Sequence, residues 1–206
     1  MKVLLINGSP HEKGCTYTAL SLIAGELNAA GIETEILNVG TKPVGGCIGC
    51  GGCAAGSGCV FGGVVNEAIE KARTADAFVF GSPVHYASAS GNMTSFMDRL
   101  SYAGGKYLAY KPAAICCSAR RAGTTSTLDQ LVKYPEFFHM PLVSGSYWPM
   151  VHGSNPEQVL QDAEGCAVMQ ELGRNMAWLL QCIEAGKAAG IQHPENPRRP
   201  MTNFIR

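Results

Sequence analysis

The chain has 206 residues, 46% of them hydrophobic and 16% charged, which is enough for one sizeable core and too apolar for a disordered segment. Sixteen basic residues balance sixteen acidic ones, so there is no basic excess of the kind a nucleic-acid binder shows. The start, MKVLLINGSP, holds too short an apolar run for a signal-peptide core or a membrane span, and nine cysteines without a leader fit thiolate chemistry in a reducing cytoplasm.

Residues 2–7, KVLLIN, predict a buried strand ending in Gly-Ser-Pro. Leu20, Ile23, Ala24 and Leu27 recur at helical spacing within 16–30, and Gly31 follows as a stop. ETEILNV (33–39) predicts a second strand, and a loop with four cysteines comes next. Residues 64–73 predict a helix, DAFVFGSPV (76–84) a third strand, and NMTSFMDRLSY (92–102) a helix with Met93, Phe96, Met97 and Leu100 on one face. KPAAICCSA (111–119) is a fourth predicted strand, TTSTLDQLVKY (124–134) opens a helix, and PLVSGSYW (141–148) is a fifth strand. A long last helix is expected over about 156–185, with Met169, Leu172, Met176, Leu179 and Ile183 as its apolar stripe.

Strands that are continuous apolar runs, alternating with helices, specify a single α/β domain: a parallel sheet with helices on both faces. Ligands of such sheets bind beyond the carboxyl ends of the strands, where strand order reverses. Three strand ends carry unusual residues, and a parallel sheet brings them to one edge. The first offers Ser9, Gly14, Cys15, Thr16 and Thr18 at a helix N-terminus, which suits one phosphate monoester. Neither a nucleotide-triphosphatase loop nor a G-x-G-x-x-G dinucleotide fingerprint is present. The second, Pro83, Val84, His85 and Tyr86, presents stiffened backbone and an aromatic wall to a flat heterocycle. The third runs from Ser118 through Arg120 and Arg121 to Gly123 and Thr124, and a guanidinium there would meet negative charge on a reduced cofactor. Taken singly, each also reads as an ordinary turn, a rim histidine or a pair of solvated arginines.

INGSPHEKGCTYTAL, DAFVFGSPVHYASASGNMTSFMDR and CCSARRAGTTSTLDQL together resemble the NADPH-dependent FMN reductase family, and the cysteine loop falls where its iron–sulfur flavoprotein branch carries a compact cluster motif. The resemblance implies a flavodoxin-like fold with five parallel strands. It implies FMN held by its phosphate at the loop containing Ser9, Gly14, Cys15 and Thr16. Pro83 to Tyr86 would line the ring, and Ser118 to Thr124 would close over its other side. The implied activity is hydride transfer from NAD(P)H through FMN to a small electron acceptor, with no side-chain acid required. An iron–sulfur flavoprotein or flavodoxin-type electron carrier is the alternative, and a flavin-binding regulatory module a third. The chain departs from the family at Gly14 and Cys15, and at Gly62 and Gly63, where many relatives carry a pair of aspartates.

Cys47, Cys50, Cys53 and Cys59 are spaced C-x2-C-x2-C-x5-C, the kind of run that wraps a 4Fe–4S cube. Zinc ranks behind that cluster among metals, and free thiols or a labile pair are preferred to both. The tail over 190–206 is proline-rich yet ends in apolar Phe204 and Ile205. It is expected to pack on a neighbouring subunit of a homodimer or homotetramer, with neither nucleic acid nor membrane as a partner.

Overall fold

The apolar runs and amphipathic segments fold as strands and helices in a computed structural model that describes residues 1–196 and Thr202. In chain order these are β1 (Lys2–Asn7), α1 (Cys15–Ala29), β2 (Glu33–Asn38), α2 (Val64–Thr74), β3 (Ala77–His85), β4 (Ser88–Ala89), α3 (Gly91–Gly104), β5 (Ala113–Ala119), α4 (Thr124–Phe137), β6 (Met150–His152), α5 (Pro156–Val159) and α6 (Ala163–Ala188). The main sheet runs β2-β1-β3-β5-β6 with every pairing parallel, while the two-residue β4 folds back antiparallel on β3. Without β4 this is the order 2-1-3-4-5 of flavodoxin-like sheets, whose direction of winding reverses between β1 and β3.

Alternate residues of the strands feed two separate cores. Val3, Leu5, Val79, Ala114 and Cys116 pack with Leu20 and Ile23 of α1 and with Met169, Leu172 and Met176 of α6. On the opposite face Leu4, Ile6, Phe78, Phe80, Ile115 and Cys117 pack against α2, α3 and α4 through Ile69, Phe96, Leu100 and Leu131. Phe78, Phe80 and Phe96 are fully buried, and each contributes about 1.5–3 kcal/mol by leaving water.

Two elements differ from the sequence expectation. The fifth strand is not 141–148: the chain touches the sheet at Leu142, leaves it, and pairs again only as β6. Over the excursion Ser146 donates from its N–H and Oγ to Glu171 Oε2 (2.8 and 2.6 Å), and Asn175 Nδ2 donates to the Ser144 carbonyl (2.8 Å). Side chains of α6 thus take the place of ladder partners. The last helix is also split, because Asp162 caps a new start, accepting from Gly165 N–H (2.9 Å) and His152 N–H (2.7 Å).

All nine cysteines are free. Cys116 and Cys117 are buried in β5, and burial pushes both thiols up from their ordinary value, that of Cys117 to about 12. Cys47, Cys50 and Cys182 are exposed. Among the described residues no helix is long and apolar enough to cross a membrane. Phe204 and Ile205, the apolar end expected to pack on a neighbour, lie outside the described residues.

Two helical glycines should respond in opposite directions to alanine. A Cβ on Gly173 would lie 2.7 Å from the Ile23 carbonyl oxygen on α1, whereas one on Gly25 meets nothing within 4 Å. Gly173→Ala should destabilise the protein by about 1–3 kcal/mol through overpacking. Gly25→Ala should stabilise it by about 0.5–1 kcal/mol through helix propensity. Urea unfolding of both variants checks the pair.

Candidate functional site

In sheets of this order the winding reversal between β1 and β3 marks the ligand crevice at the carboxyl edge, and here buried polar groups fix the loops around it. Gly8 N–H donates to the Gly81 carbonyl (2.8 Å), and Ser90 Oγ donates to the Gly8 carbonyl (2.7 Å). Ser90 also caps α3 by accepting from Met93 N–H, while its own N–H donates to Ser82 Oγ (3.0 Å). Asn7 has no exposure, and its Nδ2 donates to Asn38 Oδ1 (2.8 Å) and to the His11 and Glu12 carbonyls. Its Oδ1 accepts from Ser9 N–H (3.1 Å). Asn7, Ser82 and Ser90 did not stand out in the sequence; the signals were a polar residue ending an apolar strand for Asn7 and a serine just before a helix for Ser90.

Ser9 is buried, and its Oγ accepts from His11 N–H (3.1 Å), which curls the first loop toward α1. Gly14 precedes α1 without a side-chain cap, and the first intrahelical bond runs from Thr18 N–H to the Gly14 carbonyl. The N–H groups of Cys15, Thr16 and Tyr17 therefore have no acceptor within the helix, and with the helix dipole they favour an anion. Burial raises the Cys15 thiol above its ordinary value, so it stays protonated at neutral pH and adds no negative charge there. It donates to the Gly153 carbonyl at 3.6 Å. Thr16 is buried, and its Oγ1 lies 2.8 Å from Ser118 Oγ, joining the first loop to the third. The Thr18 hydroxyl turns instead to the Gly14 carbonyl (3.1 Å).

Pro83, Val84 and His85 are the last three residues of β3, where Pro83 stands in register with Ser118 of β5. Tyr86 and Ala87, with φ of 49° and 60°, form the two-residue turn between β3 and β4, and Tyr86 is fully exposed beyond His85. Gly123 has φ of 96°, and a Cβ there would lie 2.6 Å from Ala87 Cα. The third loop thus rests on the hairpin, an approach that only glycine permits. Ser126 Oγ donates to the Ala87 carbonyl (2.6 Å) and strengthens the contact. Thr124 begins α4, and Arg120 and Arg121 are exposed above it. His152, which sequence reasoning missed, places Nε2 3.2 Å from the Arg121 carbonyl.

The four loop cysteines line one cavity of about 130 Å3, together with Phe61, Arg99 and Tyr102. Gly49, Gly51, Gly56 and Gly58 all have φ between 65° and 84°, which lets the loop turn repeatedly around it. Among the described residues no three Cys, His, Asp or Glu side chains converge to hold a metal ion. A cube takes one thiolate at each corner around a shared volume, whereas a zinc ion draws four sulfurs to one centre.

The NADPH-dependent FMN reductase family model matches residues 1–155. An iron–sulfur flavoprotein of Methanocaldococcus jannaschii is 28% identical over 192 residues, covering 89% of this chain and 100% of that protein. An iron–sulfur flavoprotein of Archaeoglobus fulgidus is 30% identical over 170 residues, covering 80% and 83%. The structure of a flavodoxin from the domain Archaea superposes with a TM-score of 0.59 at 13% identity, covering 88% of this chain and 99% of that one.

The Thr16–Ser118 pair gives a direct test of the anion site. Thr16→Val should weaken FMN binding by about 1–3 kcal/mol, and Ser118→Ala should act in the same direction by leaving the Thr16 hydroxyl without its partner. Quenching of flavin fluorescence measures both. Unchanged affinity in the two variants would remove the pair from the site.

Proposed function

The chain belongs to the NADPH-dependent FMN reductase family, in its iron–sulfur flavoprotein branch, and on that premise we propose an FMN-dependent oxidoreductase that takes hydride from NAD(P)H and delivers electrons to a small acceptor. The observation that carries this reading is the locked edge: the open α1 N-terminus, the β3–β4 hairpin and the third loop are joined by Thr16–Ser118 and Gly123–Ala87. When bound, FMN supplies the redox chemistry, with its ring able to take hydride from one partner and release electrons to another. The α1 amides and Thr16 would hold its phosphate. Val84, His85 and Tyr86 would flank the ring, and Arg120 and Arg121 would place positive charge where reduction adds negative charge. Exposed Trp148 and Tyr147 support the further expectation of a homodimer or homotetramer.

A second reading, an electron carrier without nicotinamide turnover, is favoured by the cysteine cavity. Cys47, Cys50, Cys53 and Cys59 would hold a 4Fe–4S cluster there, which supplies one-electron transfer when bound. On this second reading anaerobic purification should yield FMN with about four iron and four sulfide per chain, and without a cluster FMN with free loop thiols. Stopped-flow mixing with NADPH or NADH should then bleach the flavin rapidly. Absence of bleaching with both nucleotides would replace the first reading by the second.

Replacing Arg120 or Arg121 by alanine should lower the flavin potential by about 30 mV, equivalent to about 1.4 kcal/mol for a two-electron couple. Spectroelectrochemical titration of the two variants measures it, and an unmoved potential in both would take the arginines away from the flavin.

A further inference from the structure

We propose that Arg99 is the positioning residue of the cysteine loop, where one buried guanidinium clamps the two ends of the loop onto Cys59 and supplies the positive charge around which the thiolates gather. This rests on the reading of Cys47, Cys50, Cys53 and Cys59 as cluster ligands.

Arg99 lies on α3 and is 5% exposed. A cation so placed needs compensation, yet among the described residues no carboxylate forms an ion pair with it. The neighbouring Asp98 is turned to Tyr134, whose hydroxyl donates to it at 2.6 Å. The guanidinium donates instead to the Gly45 carbonyl (3.4 Å), the Gly62 carbonyl (3.0 Å) and Cys59 Sγ (3.2 Å). Gly45 stands before the first loop cysteine and Gly62 after the last, so a single planar fork grips entry, exit and ligand together.

Other contacts hold the same geometry. Asn66 accepts from Cys59 N–H (2.8 Å) and donates to its carbonyl (3.0 Å), while Cys53 Sγ donates to the Tyr102 carbonyl, one helical turn beyond Arg99. The Phe61 ring lies 5.2 Å from the guanidinium. Arg99 and Phe61 line both the cysteine cavity and a second cavity of about 420 Å3, and so form the wall between them. Hydrogen bonds to cluster sulfurs and nearby charge set the potential and retention of an iron–sulfur centre.

The test compares wild type, Arg99→Met and Arg99→Lys, prepared without oxygen. Iron release to a chelator should be about 10–100-fold faster from Arg99→Met. Its remaining cluster should titrate at a lower potential, and Arg99→Lys should restore the potential more than the retention. Wild-type release rate and potential in Arg99→Met overturn the proposal. Should Arg99→Met fail to fold, as its flavin content would show, wild-type iron release from Arg99→Lys overturns the fork. Iron-free wild type would instead defeat the cluster reading. The clamp is then judged by hydrogen exchange over residues 45–62 of the iron-free chain: about tenfold faster exchange in Arg99→Met supports it, and unchanged exchange overturns it.

Discussion

Asn7 is a side chain with no exposure at the end of β1, between β2 and β3, and an amide in that position has to find its partners inside the protein. It finds them in Asn38 at the end of β2 and in the backbone of residues 9, 11 and 12. Those bonds bend the first loop back over the sheet edge and set where α1 begins. The open amides of α1, the Thr16–Ser118 contact and the third loop are then placed in succession. A change at Asn7 would strand several polar groups at once, which is how one buried amide can govern the shape of a strand-end loop.

Helix α3 has an equivalent role between the two candidate sites. Its cap, Ser90, is bonded to Gly8 and Ser82 in the crevice, and Arg99, further along, is bonded to the cysteine loop. Nine residues separate them, which is roughly 14 Å of helix rise. Because Met93, Phe96, Met97 and Leu100 fix this helix against the sheet, the crevice and the cysteine cavity are held at a set separation by one packed element. The fold therefore positions both sites through its core.

The sheet and its helices were legible because period and apolar run length are local properties of the chain. The strand-end loops were legible from their glycine, serine and proline content, and the cysteine loop from spacing alone. What escaped depends on distant partners. Arg99 and Gly45 are 54 positions apart, and Thr16 and Ser118 are 102 apart. The break before α6 needed Asp162 to prefer a capping role, and the late start of β6 needed Glu171 and Asn175 to compete for backbone groups. The first is a local cap that interrupts an apolar period, and in the second side chains from α6 overrode a pattern that was sound locally.

The sorting of cysteines has a chemical consequence. Oxidants attack thiolates that solvent can reach, and the first steps lead to sulfenic acid and disulfide. Cys116 and Cys117 are shielded by burial and held as thiols, so the sheet is spared. Cys47 and Cys50 stand in solvent on a loop bent by glycines. Damage in air thus falls on this loop and on Cys182, exposed on α6, and a preparation can retain its helical signal and cooperative unfolding after its loop chemistry has gone.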